Sequence, residues 1–167
     1  MVTITLSILY AAACFKWGEW RRWQEFYPTI LYVIIGDLAY NFVFHDHTLW
    51  LYHGAFAHTI SDMIVALFMF PSIVILFLTH WPQKRVFQIF YVLVWAGFNL
   101  LLEFLSVLLD VFEYDNGWTV WWSLILLIVS FIMIRIHYKK PLLAWPISLA
   151  LGVATALIFG LPSGALK

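Results

Sequence analysis

A chain of 167 residues that is 64% hydrophobic, 20% aromatic and only 11% charged cannot clothe a water-facing surface with the polar side chains it owns, which excludes an ordinary soluble domain. Nine basic and nine acidic residues cancel, so no bulk field exists to recruit nucleic acid, and electrostatic meaning has to come from where the charges sit. Cys14 is the sole cysteine, which excludes an internal disulfide and a thiolate cluster for zinc or iron–sulfur.

The expected fold is all-α: a polytopic integral membrane bundle of about six transmembrane helices in a single domain over 1–167. The first apolar run, 2–16, is followed rather than preceded by basic residues (Lys16, Arg21, Arg22), the reverse of a secretory signal. WGEWRRWQEFYP spaces three tryptophans three apart around a basic pair, which predicts a short amphipathic helix along the interface over 17–27. Further spans are expected at 28–44, 58–79, 86–109, 118–136 and 142–160, with Pro28 and Pro141 in the first turns of the helices they open. Pro71 interrupts the third span and predicts a kink, and DNG at 115–117 is a turn signal.

Lys and Arg fall after the first, third and fifth spans, whereas the second and fourth connections carry Asp46 and then Asp110, Glu113 and Asp115. By the positive-inside rule this alternation puts both termini outside. Trp17, Trp20, Trp23, Trp81 and Trp145 then mark the inner interface, and Trp50, Trp118, Trp121 and Trp122 the outer one.

Ionisable side chains within hydrocarbon are costly, so each one inside a span calls for an explanation. Asp37, Asn41 and His45 follow at i, i+4 steps, as do His58 and Asp62, while Asn99, Glu103, Ser106 and Asp110 form one stripe along the fourth span. Ser123, Ser130 and His137 make a weaker stripe on the fifth. At 1.5 Å per residue, Asp62 lies about 6 Å and Glu103 about 10 Å below the outer ends of their helices. A shared polar pocket opening outward is therefore expected, lined by Asp37, Asn41, His58, Asp62, Asn99 and Glu103, against the plainer reading that these groups are interhelical hydrogen-bond glue.

FHDHTLWLYHGAFAH, 44–58, holds four of the six histidines. His45, His47, His53 and His58 are weak metal candidates, since no H-E-x-x-H spacing is present and no cofactor is implied. His80 and His137 both sit at the inner edge, an arrangement unsuited to axial haem ligation. Gly36-Asp37 matches the last two residues of the GxGD signature of intramembrane aspartyl proteases, but Ile34 replaces the first glycine and no Tyr-Asp partner follows. A lipid hydrolase built on Ser106 or Ser123 lacks a nucleophile elbow. Gly152, Ala156 and Gly160 form a small-xxx-small face, a candidate contact within the bundle or for a homo-oligomer.

At KWGEWRRW (16–23), YPTILY (27–32), GDLAYN (36–41), YDNGWTVWWS (114–123) and KKPLLAW (139–145) the chain resembles an uncharacterised family of small multi-spanning membrane proteins of endospore-forming Bacillus and relatives. The resemblance spans nearly the whole chain and implies a multi-pass protein of a bacterial cytoplasmic membrane, in a sporulation-associated family, but no reaction. Asp37, Asn41, Asn116, Gly117 and Trp118 match its motifs; where this chain has His45 and His47, the family more often has tyrosines. The functional expectation is binding of a cation, proton or small polar ligand for transport or sensing. An enzyme acting on lipid headgroups and a purely structural membrane component are the alternatives, and membrane lipids are the expected partners.

Overall fold

The computed structural model describes residues 2–53 and 58–160, so that 54–57 of the histidine-rich stretch lie outside the described residues. Among the described residues the chain forms six helical rods, α1 (Val2–Trp17), α2 (Trp23–Val43), α3 (His58–Thr79), α4 (Arg85–Leu108), α5 (Val120–Lys139) and α6 (Pro141–Phe159). Five of them, α2 to α6, are long and apolar enough to cross a membrane. The 16 residues of α1 reach about 24 Å at 1.5 Å per residue, short of the roughly 30 Å of a hydrocarbon core.

Consecutive rods run up and down, and a feature absent from the sequence-based expectation closes one end. The α2–α3 and α4–α5 connections each contribute a short strand, β1 (Trp50–Tyr52) and β2 (Phe112–Tyr114). They pair antiparallel with Trp50 opposite Tyr114, Leu51 opposite Glu113 and Tyr52 opposite Phe112. We call this the strand end. The other end, where α1–α2, α3–α4 and α5–α6 connect, carries the basic residues and is the basic end. Eight of the nine Lys and Arg lie there with only Glu19 and Glu25, whereas the other seven acids belong to the strand end, where the described connections have no Lys or Arg.

The second half of α3 is the central element. Every residue from Ser72 to Leu78 is buried, as expected of a helix that is apolar all round. Phe77 is at its centre, its ring packed against Trp81, Tyr91, Trp95 and Phe131. Tyr10 and Cys14 of α1, Phe26 and Ile30 of α2, and Val92 and Ala96 of α4 complete that core. Between water-soluble helices such packing would be driven by solvent exclusion, but in lipid it rests on close van der Waals fit. Gly18 illustrates the fit, because a Cβ there would lie 2.7 Å from the Cys14 carbonyl oxygen and 3.1 Å from Ile75 Cγ2.

Ahead of Pro71, α3 widens into a π segment over Val65–Met69, with the Phe70 N–H donating to the Val65 carbonyl. Pro71 has no N–H to offer Leu67, and the i+5 pattern accommodates that loss. Ser72 Oγ donates to the Phe68 carbonyl at 2.9 Å. The expected kink is thus a wide turn one helical turn beyond Asp62.

Several other expectations are corrected. No separate interfacial helix covers 17–27: Trp20–Arg22 is a single 3-10 turn, and Trp23–Phe26 already belong to α2, so that Pro28 lies inside that helix. Pro141 does open α6, after the extended Lys140 reverses the chain in one residue. His45 does not continue the Asp37–Asn41 face, because α2 ends at Val43 and Phe44 caps it by donating its N–H to Tyr40 O at 2.8 Å. The turn at DNG is present, with Asn116 and Gly117 at φ 48° and 83° and the Trp118 N–H returning to Asp115 O at 2.9 Å, the signature of a type I′ turn. Trp50 and Trp118 do not form a surface belt. They stack into a cluster with Tyr40, Phe44, Leu49, Trp122 and Phe159 beneath the strands. Ala156 packs against that cluster, while Gly152 faces open space.

Candidate functional site

The polar stripes meet at the strand end, but as two separate networks rather than one. In the first, α2 brings Asp37 and Asn41 onto one face, and the second turn of α3 brings Asp62 opposite them. Asn41 Nδ2 donates to the Asp37 backbone carbonyl at 3.0 Å and to Asp62 Oδ2 at 2.5 Å. The amide is thereby fixed to its own helix while it holds the neighbouring helix's carboxyl. The Asp37 and Asp62 carboxyls are close enough to interact across the two helices, and Asp37 Oδ2 is buried with no hydrogen-bond partner among the described residues. Two neighbouring carboxyls resist being ionised together, and a proton or a cation between them relieves that repulsion.

His58 opens α3 one turn ahead of Asp62 and is ordered by β1. The Tyr52 N–H donates to His58 Nδ1 at 3.1 Å, and the two rings stack with centroids 5.6 Å apart. With Nδ1 accepting, a neutral imidazole carries its proton on Nε2, and that Nε2 is a second buried atom without a partner among the described residues. Burial, and then the carboxylates of Asp62, Asp37 and Glu103, push the Tyr52 phenol well above its ordinary range. Tyr52 thus stands within electrostatic reach of all three intramembrane acids.

Glu103 belongs to the second network. It accepts from the Tyr114 hydroxyl of β2 at 2.7 Å, and the Ser123 hydroxyl of α5 lies close by. Ser123 Oγ in turn accepts from Trp118 Nε1 at 2.8 Å. Burial and the adjoining Glu103 carboxyl raise the Tyr114 phenol too. Asn99 stands apart from both networks: its Oδ1 accepts from the Tyr10 hydroxyl at 2.9 Å and its Nδ2 donates to Trp95 O. Of the six expected pocket residues, Asn41 bonds both Asp37 and Asp62, and His58 lies one turn from Asp62 and is held by the Tyr52 N–H, whereas Glu103 and Asn99 find partners on other elements. Ser106 bonds only its own helix, and Asp110 is exposed beyond the end of α4.

The four histidines of the loop disperse. His45 bonds Asp46 at 2.9 Å, His47 the Phe159 carbonyl at 3.1 Å, and His53 Glu113 at 2.8 Å across the strand pair. Among the described residues no three His, Cys, Asp or Glu side chains gather as a metal-ligand set.

Sequence reading missed the tyrosines. Tyr10, Tyr40, Tyr52 and Tyr114 each orient a polar group or strand, with Tyr40 Oη accepting from the Leu49 N–H at 3.0 Å. The available signal was that a phenol in an apolar chain must find a partner for its hydroxyl. A further buried pair, Thr29 Oγ1 with His137 Nδ1 at 3.0 Å, joins α2 to α5, with Tyr32 stacked on that imidazole and bonded to Ser148. No family model, no curated protein and no solved structure matches the chain.

Proposed function

We propose that this chain is a multi-pass protein of a bacterial cytoplasmic membrane whose Asp37–Asn41–Asp62 cluster binds a proton or a small cation, for transport or sensing. The observation that carries the reading is the Asp37–Asp62 pair joined through Asn41, with a buried Oδ2 on Asp37 that no donor among the described residues serves. Intramembrane carboxylates mark ion pathways when they face a bundle interior, and this pair has no Lys or Arg to neutralise it. Asn41 orients Asp62, and His58 stands one helical turn from Asp62 on the same helix. The positive-inside rule places the basic end in the cytoplasm and the strand end outside, with residues 2 and 160 on the outer side. The resemblance to the family of spore-forming bacteria agrees with that membrane.

Proton and sodium flux into proteoliposomes holding the purified chain tests the proposal. Flux that falls at least about tenfold in Asp37→Asn and in Asp62→Asn, with folding intact, supports it. Equal flux in parent and variants, under either gradient, refutes it. A structural role is the second reading, favoured by the polar side chains that bond across helices, Tyr10–Asn99, Thr29–His137 and Tyr32–Ser148. That reading predicts parent liposomes no leakier than empty ones.

A further inference from the structure

At the basic end, a shallow groove of about 320 Å³ runs along the α5–α6 hairpin, lined by Arg135, Ile136, Lys139, Lys140 and Leu143. Its cations are held by rings rather than by acids. The Arg135 guanidinium lies over Trp81 at 4.7 Å and Tyr138 at 5.6 Å, and Lys139 Nζ lies over Tyr138 at 5.3 Å. A ring face attracts the cation without consuming its N–H donors. Among the described residues no carboxylate comes within 4.0 Å of Arg135, Lys139 or Lys140. The other groove at this end, about 430 Å³, differs: it includes Glu19, and its Arg22 is bridged to both Glu19 and Glu25.

We propose that the α5–α6 groove is a binding site for an anionic phospholipid, its phosphate among Arg135, Lys139 and Lys140 and an acyl chain along Ile136 and Leu143. The charge calls for an anion, and the planar guanidinium fits phosphate oxygens in pairs. The apolar wall selects the lipid over free phosphate: Leu143 is half-exposed beside the cations, one turn into a helix long and apolar enough to span the bilayer. Basic pockets between membrane helices are a known way of holding such headgroups.

The test is titration of the purified full chain in mixed micelles with phosphatidylglycerol or phosphatidylcholine, counting bound lipid by native mass spectrometry. A cation near an anionic headgroup contributes about fivefold in affinity. Lys139→Gln combined with Lys140→Gln should therefore weaken phosphatidylglycerol binding about 30-fold and leave phosphatidylcholine unchanged. Lys16→Gln with Arg21→Gln removes the same charge at the α1–α2 connection and should leave the site within about threefold of the parent. Equal losses from the two double variants, equal binding of both lipids by the parent, or displacement by excess inorganic phosphate would each overturn the proposal.

Discussion

The Tyr114–Glu103 contact makes a sharp test, because one oxygen atom links a strand to the interior of α4. Tyr114→Phe removes the hydroxyl that donates to Glu103 Oε1 at 2.7 Å and keeps the ring, including its contact with Phe112 at a centroid distance of 5.6 Å. Ser123 of α5 lies close by, so the carboxyl keeps a polar neighbour after the loss. Leaving a buried acceptor short of a donor costs about 1 to 3 kcal/mol. Interhelical hydrogen bonds in lipid average about 0.6 and reach about 1.7 kcal/mol. A short bond to a carboxyl that keeps a polar neighbour belongs near the overlap of those ranges, about 1 to 1.5 kcal/mol. In a Glu103→Leu background the hydroxyl has no acceptor to lose, and the same substitution should cost about 0.3 kcal/mol or less. Unfolding in bicelles, read by tryptophan fluorescence for the parent, both single variants and the double variant, gives the coupling energy. A cost of Tyr114→Phe that is the same with and without Glu103 would show that the hydroxyl is not working through that carboxyl.

Asp37→Asn should change stability by no more than about 1 kcal/mol, because the amide brings its own donor to Asp62 and no proton has to be shared; a loss above about 2 kcal/mol in the same assay would contradict the carboxyl-pair geometry. Gly18→Ala should destabilise by about 1 to 3 kcal/mol, since its Cβ would sit 2.7 Å from the Cys14 carbonyl of α1 and 3.1 Å from Ile75 Cγ2 of α3, and an unchanged thermal midpoint in detergent would count against this close packing at the end of α1. Burial raises the Tyr52 phenol in the folded chain, so its stabilising contribution is complete below the unfolded value of about 10 and is lost as pH climbs toward the folded one. Tyr52→Phe should flatten the fall in stability with pH in that alkaline window, and an unchanged slope would mean that the phenol titrates as if in water.

The helices were legible because apolar runs of membrane length need little else to declare them, and the alternation of basic and acidic connections sorted their ends. Pro141 and DNG were legible because each restricts the backbone locally. The strand pair was not, since β1 and β2 are three residues each and meet only through the fold, with no period long enough to read. Within the site, helical spacing put Asp37 with Asn41 and His58 with Asp62 on shared faces, and the contact between those faces followed from consecutive antiparallel helices. Spacing alone could not separate Glu103 and Asn99 from that group. Their partners, Tyr114 and Tyr10, come from a strand and from the first helix, and only packing decides which polar group reaches which stripe. His45 shows the opposite failure, where the i, i+4 pattern ran past a helix that Phe44 had already ended.

The strand pair has a bearing on how the molecule is made. β1 leaves the ribosome well before β2, and two further membrane helices must be in place before Trp50 can meet Tyr114. Until then β1 waits at the membrane surface with an open backbone edge, which other chains can join. The ladder can therefore close only after α3 and α4 have been made, and it then ties the α2–α3 connection to the α4–α5 connection.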